Sequence, residues 1–108
     1  MKKFIILIPV YNDWESFLKL IEKINQSIKN EKNIQFDIVA INDCSNSAAP
    51  EIKIPTNIKS IKIINMKTNK GHARCNAFGI RYLAKKENFD YLILMDGDGE
   101  DRPEEINL

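Results

Sequence analysis

The sequence predicts an open, mostly parallel α/β sheet with flanking helices. Three observations predict it. Short continuous apolar runs, rich in isoleucine, recur at residues 4–9, 36–43, 60–65 and 89–96, the pattern of strands covered on both faces. Two longer stretches between them place apolar residues at helical spacing. The polar residues cluster where strands end, in "PVYND", "NDCSNS" and "DGDGED". In open α/β sheets that carboxyl edge is where ligands bind.

The elements follow in order. "FIILIP" (4–9) is the first strand. Asn12 and Glu15 have the spacing of a capping box, with Asn12 as the expected N-cap. Trp14, Phe17, Leu18, Ile21, Ile24 and Ile28 then mark the buried stripe of a first helix. "FDIVAIND" (36–43) is a second strand. Residues 44–57 hold two prolines and several small polar residues, which predicts a loop. "SIKIIN" (60–65) is a third strand. A second helix is expected from Lys70 or Gly71, with Ala73, Asn76, Ala77, Ile80, Leu83 and Ala84 facing inward. "FDYLILMD" (89–96) is a fourth strand. "DRPEE" (101–105) has the features of a helix start: Asp101 can cap, and Pro103 and the glutamates suit a first turn.

Length and composition bound the function. A chain of 108 residues supports one domain with a modest core. A formal net charge of +1 gives no whole-molecule reason to expect nucleic acid or a membrane surface as partner. The opening "MKKFIILIPV" imitates a secretory leader, but its apolar run is too short and no small-residue cleavage site follows. The expected location is cytoplasmic. Cys44 and Cys75 are then expected as reduced thiols. With His72 as its one histidine, the chain has no multi-histidine zinc site.

The sharpest feature is "LILMDGDGED" (92–101), where four apolar residues run into Asp96, Asp98, Glu100 and Asp101. Like charges this close repel unless they are solvated or neutralised. Two carboxylates one residue apart, beyond a buried strand, can share a hard divalent cation, Mg²⁺ or Mn²⁺. Such an ion takes its remaining ligands from water and substrate phosphates. Gly97 and Gly99 allow the backbone to turn and a bulky anion to approach. Asp96 and Asp98 are therefore expected as metal ligands, and Glu100 and Asp101 as helix-start residues.

Four stretches in order carry a resemblance: "IPVYND", "INDCSNS", "NKGHARCNAFG" and "MDGDGEDRPEEI". Together they resemble the nucleotide-binding half of a family 2 glycosyltransferase with the GT-A fold, whose core is Rossmann-like. The last stretch is similar to enzymes that glycosylate polyprenyl phosphates. The resemblance implies a nucleotide-diphosphate sugar as donor, a divalent metal, and a lipid-phosphate or other glycan acceptor in the complete protein, which would then be membrane-associated. It implies that Pro9, Tyr11 and Asn12 line the nucleotide, with Tyr11 against the base. Asp43 would hydrogen-bond the base, where relatives usually have two acids and this chain has Asn42 before Asp43. Lys70, Gly71 and Arg74 would meet phosphate, and Asp96, Gly97 and Asp98 would meet the ribose and the metal-bound diphosphate. Asn76 occupies the position of a usual arginine, and Arg74 lies two residues earlier.

Two other readings remain open. The Asp96-Gly97-Asp98-Gly99 run also suits a haloacid-dehalogenase-type phosphatase, although that leaves "PVYND" and "NDCSNS" without a role. A non-catalytic nucleotide-binding module is the other. A catalytic base is expected beyond residue 108. The chain by itself is expected to transfer no sugar and, with an open sheet edge and a truncated final helix, to be marginally stable or to self-associate.

Overall fold

The computed structural model describes residues 1–96. Along them run β1 (Lys2–Val10), α1 (Trp14–Ser27), β2 (Ile34–Asn42), β3 (Ser60–Asn65), α2 (His72–Lys86) and β4 (Tyr91–Leu94). The four strands form one sheet in the order β3-β2-β1-β4. Every pairing among them is parallel, with Leu7 opposite Val39 on one side and Leu94 on the other. The expected α/β, Rossmann-like architecture is present. The expected helix at 101–105, with Gly97, Asp98, Gly99 and Glu100, lies outside the described residues.

Alternation along β1 sorts the core into two layers. Phe4, Ile6, Ile8 and Val10 pack with Trp14, Phe17, Leu20, Ile21 and Ile24 of α1. Ile5 and Leu7 pack with Cys75 and Leu83 of α2. Phe17 is fully buried and stabilises the fold by about 2–3 kcal/mol relative to an exposed ring. The β2–β3 connection needs no helix. Its Ile52 and Ile58 join the α1 layer, and the backbone N–H of Asn57 donates to Asn25 Oδ1 at 2.9 Å. The chain thus winds from β1 to β2 to β3 over one face. It then returns over the other face, through α2, to β4 beside β1. The winding reverses between β1 and β4, which opens a crevice at their carboxyl ends.

Two sequence expectations are corrected. The N-cap of α1 is Asp13, whose Oδ1 accepts the Ser16 N–H at 3.1 Å. Hydrogen bonds from Ser16, its side chain first and then its backbone amide, hold the Asp13 carboxyl below its ordinary range. Asn12 instead takes a left-handed conformation (φ 61°), which its short polar side chain tolerates. Glu15 turns outward and pairs with Lys19 at 3.2 Å. The inward face of α2 is also different. Cys75, Gly79 and Leu83 are buried, while Ala73, Ala77, Ile80 and Ala84 are exposed. Both sets have helical spacing, and close approach decided between them. A Cβ on Gly79 would lie 2.8 Å from two Leu7 carbons, so the glycine lets α2 sit directly on β1.

At the amino edge of the sheet, Glu87 closes α2 between Lys62 (2.9 Å) and Lys3 (3.4 Å). That ion-pair group lies at the end of α2 away from the crevice and leaves the carboxyl edge to other chemistry.

Candidate functional site

The carboxyl edge is built by three loops. The first follows β1. There Asp13 N–H donates to the Tyr11 carbonyl at 2.7 Å and Trp14 N–H to the Asn12 carbonyl at 3.0 Å, a tight turn that lifts Tyr11 outward. Tyr11 is 42% exposed, an aromatic residue outside the packed core. Pro9 lies in β1 one turn of the pleat earlier, paired with Ile41. Asn12 joins the first loop to the second: its N–H donates to Ser45 Oγ at 2.8 Å, and its Oδ1 accepts from Asn46 N–H at 2.6 Å. Sequence reasoning placed Asn12 at the nucleotide. Its amide and side-chain oxygen hold the two loops together.

The second loop follows β2. Asn42 Nδ2 donates to Asn65 Oδ1 at 2.9 Å, and Asn42 Oδ1 accepts the Ser45 N–H at 3.1 Å. Asp43 is 1% exposed. Its Oδ1 accepts the Lys70 N–H at 2.6 Å and its Oδ2 the Gly71 N–H at 2.8 Å. Asn69 Nδ2 donates to the Asp43 carbonyl at 3.2 Å. Charge-assisted bonds to backbone amides are the strong kind, and here they pin the amino end of α2 to the end of β2. Each oxygen thus already accepts one backbone N–H, and the side chain is buried at the foot of the site. The acid nearest the α2 amides was visible in the sequence, but its partners, 27 and 28 residues further on, were not.

The third element is α2 itself. Gly71 is its N-cap, with φ 84°, a left-handed value that glycine adopts without strain. The Gly71 amide is taken by Asp43. The amides of His72, Ala73 and Arg74 are the first-turn groups that helix geometry leaves without an intrahelical partner. Lys70 and Arg74 are exposed beside them. Cys75, one turn in, is fully buried. Burial first, then a hydrogen bond to Asp43, pushes its thiol up to about 12. Asn76 Oδ1 is buried with no hydrogen-bond partner.

Asp96 lies just past β4, after Met95, and its side chain is 41% exposed. Its Oδ1 lies 3.9 Å from Nδ1 of His72, the first residue of α2. The structure therefore brings together Tyr11, Asp43, Lys70, Gly71, Arg74 and Asp96 at one edge, across the reversal point. In the sequence His72 served only to exclude a multi-histidine zinc site. Its position at the helix start and its proximity to Asp96 include it in the site. Among the described residues no group of three or more His, Cys, Asp or Glu forms a metal-holding cluster. Gly97 and Asp98 lie outside the described residues.

A curated relative carries the comparison further. The chain is 26% identical over 107 residues to an undecaprenyl-phosphate 4-deoxy-4-formamido-L-arabinose transferase of Proteus mirabilis (strain HI4320). That match covers 98% of this chain and 32% of the relative, so the chain spans about a third of the relative's length. The family model described as glycosyl transferase family 2 matches residues 5–107. With nearly every residue inside that match and a parallel sheet of the matching kind beneath it, the chain belongs to glycosyl transferase family 2.

Proposed function

We propose that these residues form the donor-binding part of an inverting, metal-dependent glycosyltransferase. Its donor is a nucleotide-diphosphate sugar, and its acceptor in the whole protein is a lipid phosphate. The observation that carries the reading is the placement of Asp96. It stands half-exposed at the reversal point of the sheet, 3.9 Å from the first residue of α2. The donor set suits a hard cation: a partly exposed carboxylate, with Asp98 two residues on in sequence, in a site whose remaining ligands would be water and phosphate oxygens. Mg²⁺ or Mn²⁺ held there supplies charge neutralisation for a diphosphate leaving group.

The chain's own residues do the rest. The free first-turn amides of α2 and the positive end of its dipole face the phosphate charge. Lys70 and Arg74 add full charges beside them. Tyr11 offers a flat face to the base. Asp43 acts on the donor through α2, by fixing where those amides point. Such a site works by position and preorganised charge, with the acceptor oxygen attacking the anomeric carbon from the face opposite the diphosphate. The lipid-phosphate acceptor is supported by the relative's printed activity.

The test is a binding titration of nucleoside diphosphates in Mn²⁺ and in EDTA. Tighter binding in Mn²⁺, removed by Asp96→Ala, supports the reading. Metal-independent binding contradicts it.

A further inference from the structure

The net charge of +1 conceals a strong asymmetry. Residues 52–86 contain nine of the sixteen Lys and Arg and none of the fifteen Asp and Glu. All nine are exposed. Among the described residues only Lys62 of the nine makes an ion pair, with Glu87. The stretch covers the edge strand β3, the loop after it and all of α2.

On α2 the pattern is sharper. Arg74, Arg81 and Lys85 (i, i+7, i+11) form one exposed stripe. Ala73, Ala77, Ile80 and Ala84 (i, i+4, i+7, i+11) form an exposed apolar stripe beside it. The outward half of this helix is thus basic on one side and apolar on the other, with no acid anywhere between His72 and Lys86. Ala73, Ala77 and Ala84 also favour the helix itself, and Ile80, 40% exposed, is the large apolar side chain of the stripe.

We infer that the outer face of α2 docks on an anionic lipid bilayer. Basic side chains meet the headgroup charge, and the alanine–isoleucine stripe enters the boundary with the acyl chains. A bilayer fits better than nucleic acid. The aromatics of α2, Phe78 and Tyr82, stack on one another at 6.0 Å and are half-buried against the sheet, so no aromatic platform for bases accompanies the charge. None of the described helices can cross a bilayer, so contact through these residues is peripheral. Because α2 begins at the candidate donor site, docking along it brings that site to the membrane surface. The inference rests on the donor-site reading only for that last consequence.

The experiment is co-sedimentation of the chain with phosphatidylcholine vesicles, with and without phosphatidylglycerol, at low and high salt. Binding is expected only with phosphatidylglycerol, and salt should weaken it. Arg81→Gln/Lys85→Gln should lower the partition roughly 25-fold, at about fivefold per basic residue. The control Lys23→Gln/Lys29→Gln, at exposed positions in α1 and in the turn after it, removes the same charge and should change it little. Ile80→Ser should also weaken binding, which bulk charge alone would not produce. Circular dichroism checks that each variant is folded. Failure to bind anionic vesicles, or equal loss with both double variants, overturns the inference. So does tighter, equally Arg81-dependent binding to duplex DNA. Nucleoside diphosphate binding by Arg81→Gln/Lys85→Gln should be unchanged, so failure at the membrane leaves the donor reading standing.

Discussion

The Asp43 carboxylate accepts the Gly71 amide at 2.8 Å and so ties the end of β2 to the start of α2. A second bond, from Lys70 N–H at 2.6 Å, completes the clamp. Bonds of this kind contribute about 1.5–3 kcal/mol each. Asp43→Ala should lower stability by about 3 kcal/mol in urea unfolding. It should weaken nucleoside diphosphate and free pyrophosphate to the same extent, since what it disturbs is the phosphate-facing end of α2. Loss confined to the nucleotide would make Asp43 a base-reading residue instead.

Tyr11 should divide the two ligands. Its exposed ring offers stacking, which contributes about 1–3 kcal/mol per base. Tyr11→Ala is expected to weaken nucleoside diphosphate by that amount and to leave pyrophosphate unchanged, both read by calorimetry. Equal affinity of the wild type and the variant for the nucleotide would remove Tyr11 from the site.

Gly79 and Gly71 should fail for different reasons. Gly79→Ala puts a methyl 2.8 Å from the Leu7 side chain, which is itself fully buried and has little room to yield. The helix gains about 1 kcal/mol of propensity, but overpacking costs about 1–3 kcal/mol. The expected net loss is modest, and Leu7→Ala should reverse part of it in a double-mutant cycle. Gly71→Ala meets no atom within 4 Å, yet φ 84° strains any side chain. Its cost should not respond to Leu7 at all.

Much of the fold was legible and the helix orientation was not. β3 falls on the expected residues 60–65, because an isoleucine run between turn signals has few other readings. Trp14, Phe17, Ile21, Ile24 and Ile28 are buried as their spacing requires. The face of α2 was misread because two stripes have helical periodicity. The choice between them depends on how closely the helix approaches Leu7, a tertiary fact. At the start of α1, Asn12 and Asp13 are both good caps, and the loop bonds to Ser45 and Asn46 decide which one serves. The polar residues expected at strand ends do lie at one edge, because a parallel sheet gathers the ends of its strands there. The inward commitment of Asp43 was not, because its partners are distant backbone amides.

The cysteines offer a pH test. Cys44 is exposed and Cys75 buried, both free thiols. A thiol reagent should modify Cys44 in the native protein and Cys75 only after unfolding. The Cys75 thiol is raised from 9.0 to about 12. Above pH 9 the unfolded chain loses this proton and the folded one keeps it, so stability falls as pH rises. The slope from this group is about 1.4 kcal/mol per pH unit until pH 12. Urea midpoints measured at rising pH should show that slope in the wild type and lose it in Cys75→Ala. Parallel curves would contradict the burial of a neutral thiol against Asp43.

The central claim is that the edge holding Tyr11, the start of α2 and Asp96 receives a nucleoside diphosphate together with a divalent cation. The most direct measurement is calorimetric titration of UDP, GDP and dTDP into the chain, in Mn²⁺ and in EDTA, for the wild type and Asp96→Ala. The account predicts that at least one nucleotide binds, that Mn²⁺ tightens it, and that Asp96→Ala removes the metal-dependent gain. Binding of equal strength in EDTA, or a full Mn²⁺ enhancement in Asp96→Ala, would contradict it.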